Sequence, residues 1–221
     1  RGVVRAGTLS RVVRIGLPVA TGTALYALVY WGLLATSINP LGDAVTAGLG
    51  IGFSGLEAFA WPLFLGCSVA AASVVGRCLG AGRPDLARRA VGRLLGPQLA
   101  LGAGVGAVFY LLGPTITGGF AADADAWREA SLYAVILAWS QPFVALEALF
   151  EGTLNGAGDT RATFWSTVPY NLLRVPLAWV LAFPLGMGAA GIWWAINATT
   201  VLKAGTKAAL VWRGGWTQRV V

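Results

Sequence analysis

The sequence predicts an all-α integral membrane protein with six transmembrane helices. Of its 221 residues, 57% are hydrophobic and 11% are charged, and the mean hydropathy is +0.70. Soluble domains carry about 25% charged residues, so this chain has too few to cover a globular surface. Long apolar segments alternate with short polar connections, and the basic residues concentrate in every second connection. These observations disfavour the alternative, an unusually apolar soluble helical protein.

Each of six apolar segments is long enough to cross a hydrocarbon core of about 30 Å. The second is too long for one straight span, so we expect Pro62 to kink it or its first turns to lie along the interface. Glycines such as Gly102, Gly104 and Gly106 are expected to let the helices approach closely. The predicted spans cover residues 15–37, 44–79, 94–112, 127–154, 162–183 and 189–212.

Arginine and lysine side chains indicate how the chain is oriented in the membrane. Thirteen of them lie in residues 1–14, in the connections after the second and fourth spans, and at or beyond the end of the sixth span, where Lys207 is counted. Only Arg128 lies in the opposite connections. Because cytoplasmic loops are enriched in basic residues, both termini of this multi-pass protein are predicted to face the cytoplasm, across a plasma (bacterial inner) membrane. Residues 1–14 then form a basic cytoplasmic linker and 213–221 a cytoplasmic tail.

The net charge of +7 follows from the same placement of basic residues. The expected partners are therefore membrane lipids with anionic head groups, and nucleic acid is not expected. A membrane enzyme is disfavoured because the chain contains no histidine, which is the usual general base. Asp123 and Asp125 form a D-x-D sequence, but it lies in an outer connection without further ligands and is interpreted as a solvated loop.

The stretch EGTLNGAGDTR, residues 151–161, ends the fourth span. It does not match the phosphate-binding pattern G-x-x-x-x-G-K-[ST], and it follows a membrane helix instead of a strand. We interpret Gly156 and Gly158 as the helix stop and turn, with Asp159 or Thr160 capping the next span. The stretch VVGRCLGAGRPDLARR after the second span repeats the order leucine, G-A-G, aspartate.

At these two corners the sequence resembles the multidrug and toxic compound extrusion (MATE) family of secondary transporters. The first corner is similar to the family's V-G-Q-x-L-G-A-G, with Arg77 in place of the usual glutamine, and the second to its G-x-L-x-G-A-G-D-T turn. RIGLP near the start and VPLAWVLAFPLGMGAAGIWWA near the end also resemble family segments. The motifs occur in family order and cover nearly the whole chain.

The resemblance implies one six-helix lobe of a twelve-helix transporter, and the basic leader resembles the linker before a C-terminal lobe. A family member exports organic, often cationic, solutes in exchange for protons or sodium ions. The implied partners are an N-terminal lobe of the same transporter and a small organic substrate, with H⁺ or Na⁺ as coupling ion and no other cofactor. The alternative within this style of fold is a flippase or exporter of lipid-linked or polysaccharide precursors.

Polar and charged residues at membrane depth cost free energy to insert, and they commonly mark a transport path or an ion pair. At helical rise, Glu147, Asn171 and Lys203 lie about 12–13 Å from the cytoplasmic ends of their spans. One interpretation is that Glu147, Arg174 and Lys203 neutralise one another and hold three helices together; the other is that an acid carries the coupling ion. The first predicted span, where several branches of the family place an acid, has none. The candidates for the path are Glu57, Glu147, Glu151, Asn171, Arg174 and Lys203.

Aromatic residues of the first predicted span are weaker candidates for the same cavity. Tyr26, Tyr30 and Trp31 are able to stack on a flat cationic drug. The competing interpretation, which the sequence favours, assigns such residues to interfacial belts or to packing.

Overall fold

The computed structural model of the chain consists of helices and short connections. It describes the backbone of residues 6–218 and the side chains from residue 16 onward other than 18 and 19, so linker residues 1–5 and tail residues 219–221 lie outside it. No strand occurs within residues 6–218. The α-helices of this part of the chain are α1 (Ala6–Leu33), α2 (Asp43–Gly52), α3 (Ala58–Gly80), α4 (Pro84–Gly118), α5 (Ala124–Ala138), α6 (Gln141–Gly156), α7 (Thr160–Ala182) and α8 (Gly188–Arg213).

The second predicted span is one continuous helical segment in which α2 joins α3 through a wider π-helical turn at Phe53–Glu57. The irregularity expected at Pro62 lies instead in the turn before it. Pro62 itself sits inside α3. The carbonyl that the Pro62 ring crowds, four residues earlier, is that of Ala58, so the π-helical turn ends just before it. This π-helical turn places Glu57 at its last position.

The fourth predicted span is two helices, α5 and α6, bent by 59°. The sequence analysis missed this break, although Pro142 signals it. Proline has no N–H to donate to the carbonyl of Ala138, so the helix cannot continue through that bond. Gly106 of α4 lies against the freed group: a Cβ there would be 2.7 Å from the Ala138 carbonyl oxygen. Gly102 is equally close to α6, whereas Gly104 faces open space, so the prediction of close approach was wrong for Gly104.

By length and apolar composition alone, three helical segments within residues 6–218 are able to cross a membrane, and the bent pair α5–α6 makes a fourth. The helices α7 and α8 have 23 and 26 residues. They are long enough, but Arg174, Lys203 and Lys207 lower their hydropathy. All three side chains are buried within the bundle, where membrane proteins place such groups. The lobe therefore has six helical rods, and the last two carry these buried basic side chains.

Helix α8 packs against α5, α6 and α7, and α7 also packs along α1. One apolar cluster joins α1, α2, α5, α7 and α8. Its largest contact is the buried ring of Trp193 against that of Tyr133, with centroids 5.0 Å apart in an edge-to-face arrangement. A second cluster joins the C-terminal half of α3 to α4, α6 and α8. The second cluster holds α6 and α8 side by side, which positions the site described below.

The glycines of EGTLNGAGDTR have two separate structural roles. Gly152 and Gly156 let α6 contact α3, because a Cβ at either position would collide with the carbonyl oxygens of Ser68 and Ala72. Gly158 adopts a positive φ of 74°, a turn conformation that glycine takes without strain. Asp159 then caps α7 by accepting a hydrogen bond from the backbone N–H of residue 162. The predicted stop, turn and cap are confirmed.

The basic corners of the lobe meet at one end of the bundle. Gly76, near the end of α3, packs against the carbonyl of Gly156 at the end of α6. Arg88 at the start of α4 donates a hydrogen bond to the Thr217 hydroxyl just beyond α8. The connection after α3, the connection after α6 and the segment after α8 therefore share one end.

Candidate ion-coupling and substrate path

A buried charge cluster connects α6 to α8. It consists of Glu147, Glu151, Lys203 and Lys207. The Lys207 ammonium lies 2.9 Å from Glu147 Oε1 and also donates to Glu151 Oε2, while Lys203 lies 3.1 Å from the same Glu147 oxygen. The Lys207 side chain is completely buried. Within the described residues no three His, Cys, Asp or Glu side chains converge as metal ligands do, and the neighbours of these carboxylates are ammonium groups.

The charge cluster lacks one member of the predicted triad, Arg174, and contains two further residues, Glu151 and Lys207. Arg174 forms no ion pair with Glu147, and Lys207 takes its place. The sequence analysis had counted Lys207 among the cytoplasmic basic residues, which was wrong because its side chain points into the bundle. Counting residues along a helix reports their depth but not the direction of their side chains. Removing Lys207 leaves twelve basic residues on the predicted cytoplasmic side.

Arg174 of α7 lies next to the charge cluster but has a different environment. Its guanidinium donates from Nε to Thr199 Oγ1 at 2.9 Å and from Nη2 to Thr200 Oγ1 at 3.4 Å. The third donor, Nη1, is 3.4 Å from the hydroxyl of Tyr30 on α1, and the guanidinium carbon lies 5.9 Å from the centre of that ring. Arg174 is 2% exposed, and no carboxylate among the described residues forms an ion pair with it.

Glu57 has a neutral partner only. Gln141, the first residue of α6, donates from Nε2 to Glu57 Oε1 at 3.2 Å. The Gln141 side chain is fully buried, and its own Oε1 accepts no hydrogen bond from the described residues. No lysine or arginine of the described part of the chain forms an ion pair with Glu57. The bend before α6 therefore brings an amide, and not a cation, to this acid.

Asn171 occupies a buried position on α7 with an unsatisfied acceptor. Its side chain is 3% exposed, and its Oδ1 accepts no hydrogen bond from the described residues. The hydroxyl of Thr167, one turn earlier on the same helix, is unpaired in the same sense. Buried polar atoms are nearly always satisfied, so these two oxygens mark a place that suits water or a small ion.

The predicted cavity aromatics separate into two groups. Tyr26 and Tyr30 line an open groove of about 380 Å³ between α1 and the α2 segment, with their rings 4.8 Å apart. Trp31 is 69% exposed and does not line this groove. The wall of this groove is apolar, and the Tyr30 hydroxyl is hydrogen-bonded to Arg174. The groove's other lining residues are Ala27, Leu49, Gly50 and Phe53.

A family comparison accounts for this arrangement of helices and corners. The model of the MatE family matches residues 18–180, which is most of the chain. The chain belongs to the MatE family. Its relatives are transporters, and its apolar helices make it a multi-pass membrane protein.

Curated relatives of this MatE chain extend across bacteria and plants. It is 34% identical over 203 residues to the "Probable multidrug resistance protein NorM" of Pseudomonas aeruginosa, an alignment that covers 85% of this chain and 39% of that protein. It is 26% identical over 157 residues to "Protein DETOXIFICATION 41" of Arabidopsis thaliana, covering 71% and 31% respectively. The chain thus spans about two-fifths of the length of the bacterial relatives it matches.

Solved structures show the same fold. A crystal structure of MATE in complex with MaL6 superposes with a TM-score of 0.85 at 22% identity, covering 93% of this chain and 46% of that one. A MOP superfamily transporter from Pyrococcus furiosus, described as having a binding pocket of reverse polarity, superposes with a TM-score of 0.82 at 22% identity, covering 91% and 44%. This MatE chain therefore has the fold of one lobe, as the sequence predicted.

Sequence reasoning on this MatE lobe missed three contacts within the site. Lys207 was detectable, because Lys203 and Lys207 repeat the four-residue spacing of Glu147 and Glu151, and such residues share a helix face. The Gln141 contact depends on the bend before α6, which Pro142 signals but does not orient. The contact from Arg174 to Tyr30 joins residues 144 positions apart and has no sequence signal.

Proposed function

We propose that the chain is a half-unit of a secondary active antiporter that exports organic, often cationic, solutes in exchange for protons or sodium ions. It would pair with a second six-helix lobe of the same transporter, the N-terminal one if this is the C-terminal lobe. The printed names of its bacterial relatives, probable multidrug resistance proteins, support export of this kind. No cofactor other than the coupling ion is required, and the function is transport and not enzymatic catalysis.

The observation that carries this proposal is the environment of Glu57. Its carboxylate is half-buried in the bundle, it is hydrogen-bonded to Gln141, and it has no cationic partner among the described residues. It also lies one helical turn from Phe53, which lines the groove. A coupling acid must exchange its bound ion during each cycle. An acid with a neutral partner is able to do this without leaving a buried cation unpaired.

The charge cluster supports a different role for Glu147. Two ammonium groups within 3.1 Å favour the ionised carboxylate, because an opposite charge at this distance stabilises the charged form. That environment favours a structural role for Glu147, Glu151 and Lys203, with Lys207 in the place that the sequence interpretation gave to Arg174. Asn171, with its unsatisfied acceptor, stays with Glu57 and Arg174 among the residues proposed to line the ion and substrate path.

The proposed orientation places both termini in the cytoplasm of a bacterial inner membrane. It is supported by the convergence of the arginine-rich corners at one end of the bundle and by the single basic residue, Arg128, in the opposite connections. A cysteine introduced at exposed Arg161 should react only with a membrane-permeant maleimide in intact cells. Labelling by an impermeant maleimide would reverse the orientation.

The direct test uses the full-length transporter expressed in a drug-sensitive strain, with ethidium efflux as the measurement. We expect Glu57→Gln to reduce efflux at least tenfold while expression and melting temperature stay close to wild type. Asp85→Asn, at an exposed acid on α4, is the matched control and should leave efflux unchanged. Glu147→Gln should lower the melting temperature as well as efflux. Wild-type efflux in Glu57→Gln at every pH would remove Glu57 from the coupling role.

One observation supports the flippase alternative, namely that Arg174 is a buried cation. Lys203, the other cation that suggested it, is already paired with Glu147. If the full-length protein exports no ethidium but complements a strain defective in precursor-lipid export, the flippase function replaces antiport. The 221-residue lobe alone should transport neither, since only half of the cavity wall would be present, and transport by the lobe as a monomer in liposomes would contradict the half-unit proposal.

A further inference from the structure

A second cavity lies at the end of the bundle where the basic corners meet. It has a volume of about 160 Å³, and its walls come from the first turns of α4, the end of α8 and the segment after α8, together with Phe150 of α6. Unlike the groove beside α1, this cavity has polar as well as apolar surface. Arg88 is the one charged residue among those that line it.

The wall that α4 supplies changes from charged to apolar along the helix. Arg88, Gly92 and Leu95 line the cavity at spacings of four and three residues, which places them on one helix face. Helix α4 is long and apolar enough to cross a membrane. At helical rise, Leu95 lies about 10 Å further along this span than Arg88. The cavity therefore has a charged end close to the end of the bundle and an apolar end deeper in the span.

The guanidinium of Arg88 is held in position at the charged end. Its Nη2 donates a hydrogen bond to the Thr217 hydroxyl at 3.1 Å. The same nitrogen lies against Gly214, where an added Cβ would be only 2.6 Å away. Arg88 is an exposed residue and forms no other hydrogen bond with the described residues. Since a guanidinium has five N–H groups, most of its donors stay free for a ligand.

No acid competes for Arg88 within the described residues. Asp85, one turn earlier on α4, pairs instead with Arg83. Two more arginines of the first turns of α4, Arg89 and Arg93, are exposed and likewise form no ion pair with the described acids. This end of α4 therefore presents positive charge that suits an anionic ligand.

The aromatic walls of the cavity indicate which kind of anion fits. Trp212 is 75% exposed at the end of α8, and its ring centroid lies 6.5 Å from that of Phe150. Trp216 is buried, and its indole N–H donates to the Val211 carbonyl, so its ring adds to the apolar wall. Exposed tryptophans at the ends of spans are typical of the level where lipid head groups meet their chains. A ligand with a negative head and an apolar chain matches both ends of the cavity.

We propose that this cavity binds one anionic phospholipid, whose phosphate accepts hydrogen bonds from Arg88 and whose acyl chain follows α4 past Gly92 towards Leu95, beside Trp212. Basic pockets between transmembrane helices bind anionic head groups in this way. A soluble anion would leave the apolar end empty, and a zwitterionic lipid would bring its own cation to the arginines. The inference concerns a lipid partner of the lobe and does not depend on which solute is transported.

The test measures lipid binding to the purified full-length transporter by native mass spectrometry. Wild type and one variant, carrying tags of different mass, are mixed in one detergent solution, so both meet the same free lipid. We expect wild type to prefer phosphatidylglycerol to phosphatidylcholine. Gly92→Leu places a side chain in open space within the cavity and should weaken phosphatidylglycerol binding by about tenfold or more. Gly96→Leu, which also enters open space but does not line the cavity, should stay within about twofold of wild type.

A second pair of variants tests the charge. Arg88→Gln should lower phosphatidylglycerol affinity about tenfold, the ordinary effect of losing a hydrogen bond to a charged group, and should remove the preference over phosphatidylcholine. Arg161→Gln removes the same charge from an exposed arginine at the same end of the bundle and should leave both unchanged. The melting temperature without added lipid checks folding, and Gly92→Leu carries the test if Arg88→Gln does not fold.

Four outcomes would overturn the inference. Gly92→Leu could bind phosphatidylglycerol as tightly as wild type, or a folded Arg88→Gln could keep the lipid preference. Arg161→Gln could weaken binding as much as Arg88→Gln, which would show a general attraction of basic residues and no site. Excess inorganic phosphate could displace the lipid, which would show a site for the free anion.

Discussion

Two neighbouring turns of α8 lie beside buried positive charges that have different kinds of partner. Lys203 and Lys207 meet carboxylates of α6, whereas the turn that carries Thr199 and Thr200 offers only hydroxyls to Arg174. The two regions share one helix and similar burial. The difference lies in the helix that packs against each turn. α6 presents two acids at the same four-residue spacing as the two lysines of α8, whereas α7 presents an arginine.

The comparison separates structural charge from charge available to a ligand. In the charge cluster each ionised group already has an opposite charge within hydrogen-bond distance, and removing Glu147 would leave the buried Lys203 without a carboxylate. Around Arg174 and Glu57 the partners are neutral, so an arriving ion or substrate is able to replace them. The first region is expected to control stability and the second to control transport.

The largest expected effect comes from breaking the charge cluster at its centre. Lys207→Met leaves Glu147 and Glu151 close together without their shared ammonium, and the loss should be about 3–5 kcal/mol of folding free energy. The apparent melting temperature of the full-length protein in detergent measures it. A double variant that adds Glu151→Gln removes the acid left without a partner, while Glu147 keeps Lys203 at 3.1 Å, and it should recover part of the loss. No recovery would mean that Lys207 contributes by packing alone.

A second test moves the acids without changing them. In Gly152→Ala the new methyl group collides with the Ser68 carbonyl, so α6 must shift away from α3 and carry Glu151 with it. Overpacking of this kind costs about 1–3 kcal/mol, and a clash with backbone falls at the upper end. Gly104→Ala on α4, which meets nothing within 4 Å, is the control and should be neutral or slightly stabilising. Equal effects would contradict the close approach of α6 to α3.

The third test addresses the hydroxyl-lined region. Thr199→Val keeps the side-chain shape and removes the 2.9 Å bond to Arg174 Nε. A hydrogen bond to a charged group contributes about 1.5–3 kcal/mol, and we expect the lower value because Thr200 and Tyr30 remain. Thr200→Val removes a longer, 3.4 Å contact and should cost less. If Thr199→Val destabilised the protein as much as Lys207→Met, the distinction between the two regions would fail.

The smallest loss of stability is expected from breaking the exposed ion pair of Arg83 and Asp85. Arg83 Nε lies 3.2 Å from Asp85 Oδ1 at the start of α4. Both side chains are about half exposed, so water and salt screen the attraction. Asp85→Ala should leave the melting temperature within experimental scatter of wild type. A loss comparable to that of Lys207→Met would mean that burial is not what separates structural from surface ion pairs here.

Much of the lobe was predictable from local pattern. The corner at residues 151–161 folds as its residues predict, because a glycine turn and an aspartate cap are set by neighbours along the chain. The bend before α6 was missed even though Pro142 opposes a continuous helix. The irregularity that the structure shows in the second span is the π-helical turn at Phe53–Glu57, which no local pattern indicated.

The amino-acid sequence by itself determined that this protein is helical, lies in a membrane, belongs to one transporter family and carries acids and bases at membrane depth. Those properties depend on composition and on short-range spacing. Which base faces which acid was decided only by tertiary structure. The helix rotation that turns Lys207 inward, gives Glu57 an amide and leaves Arg174 with hydroxyls is set by packing between helices distant in sequence, such as α1 with α7 and α6 with α8. Depth along a helix is local information, but direction around it is not.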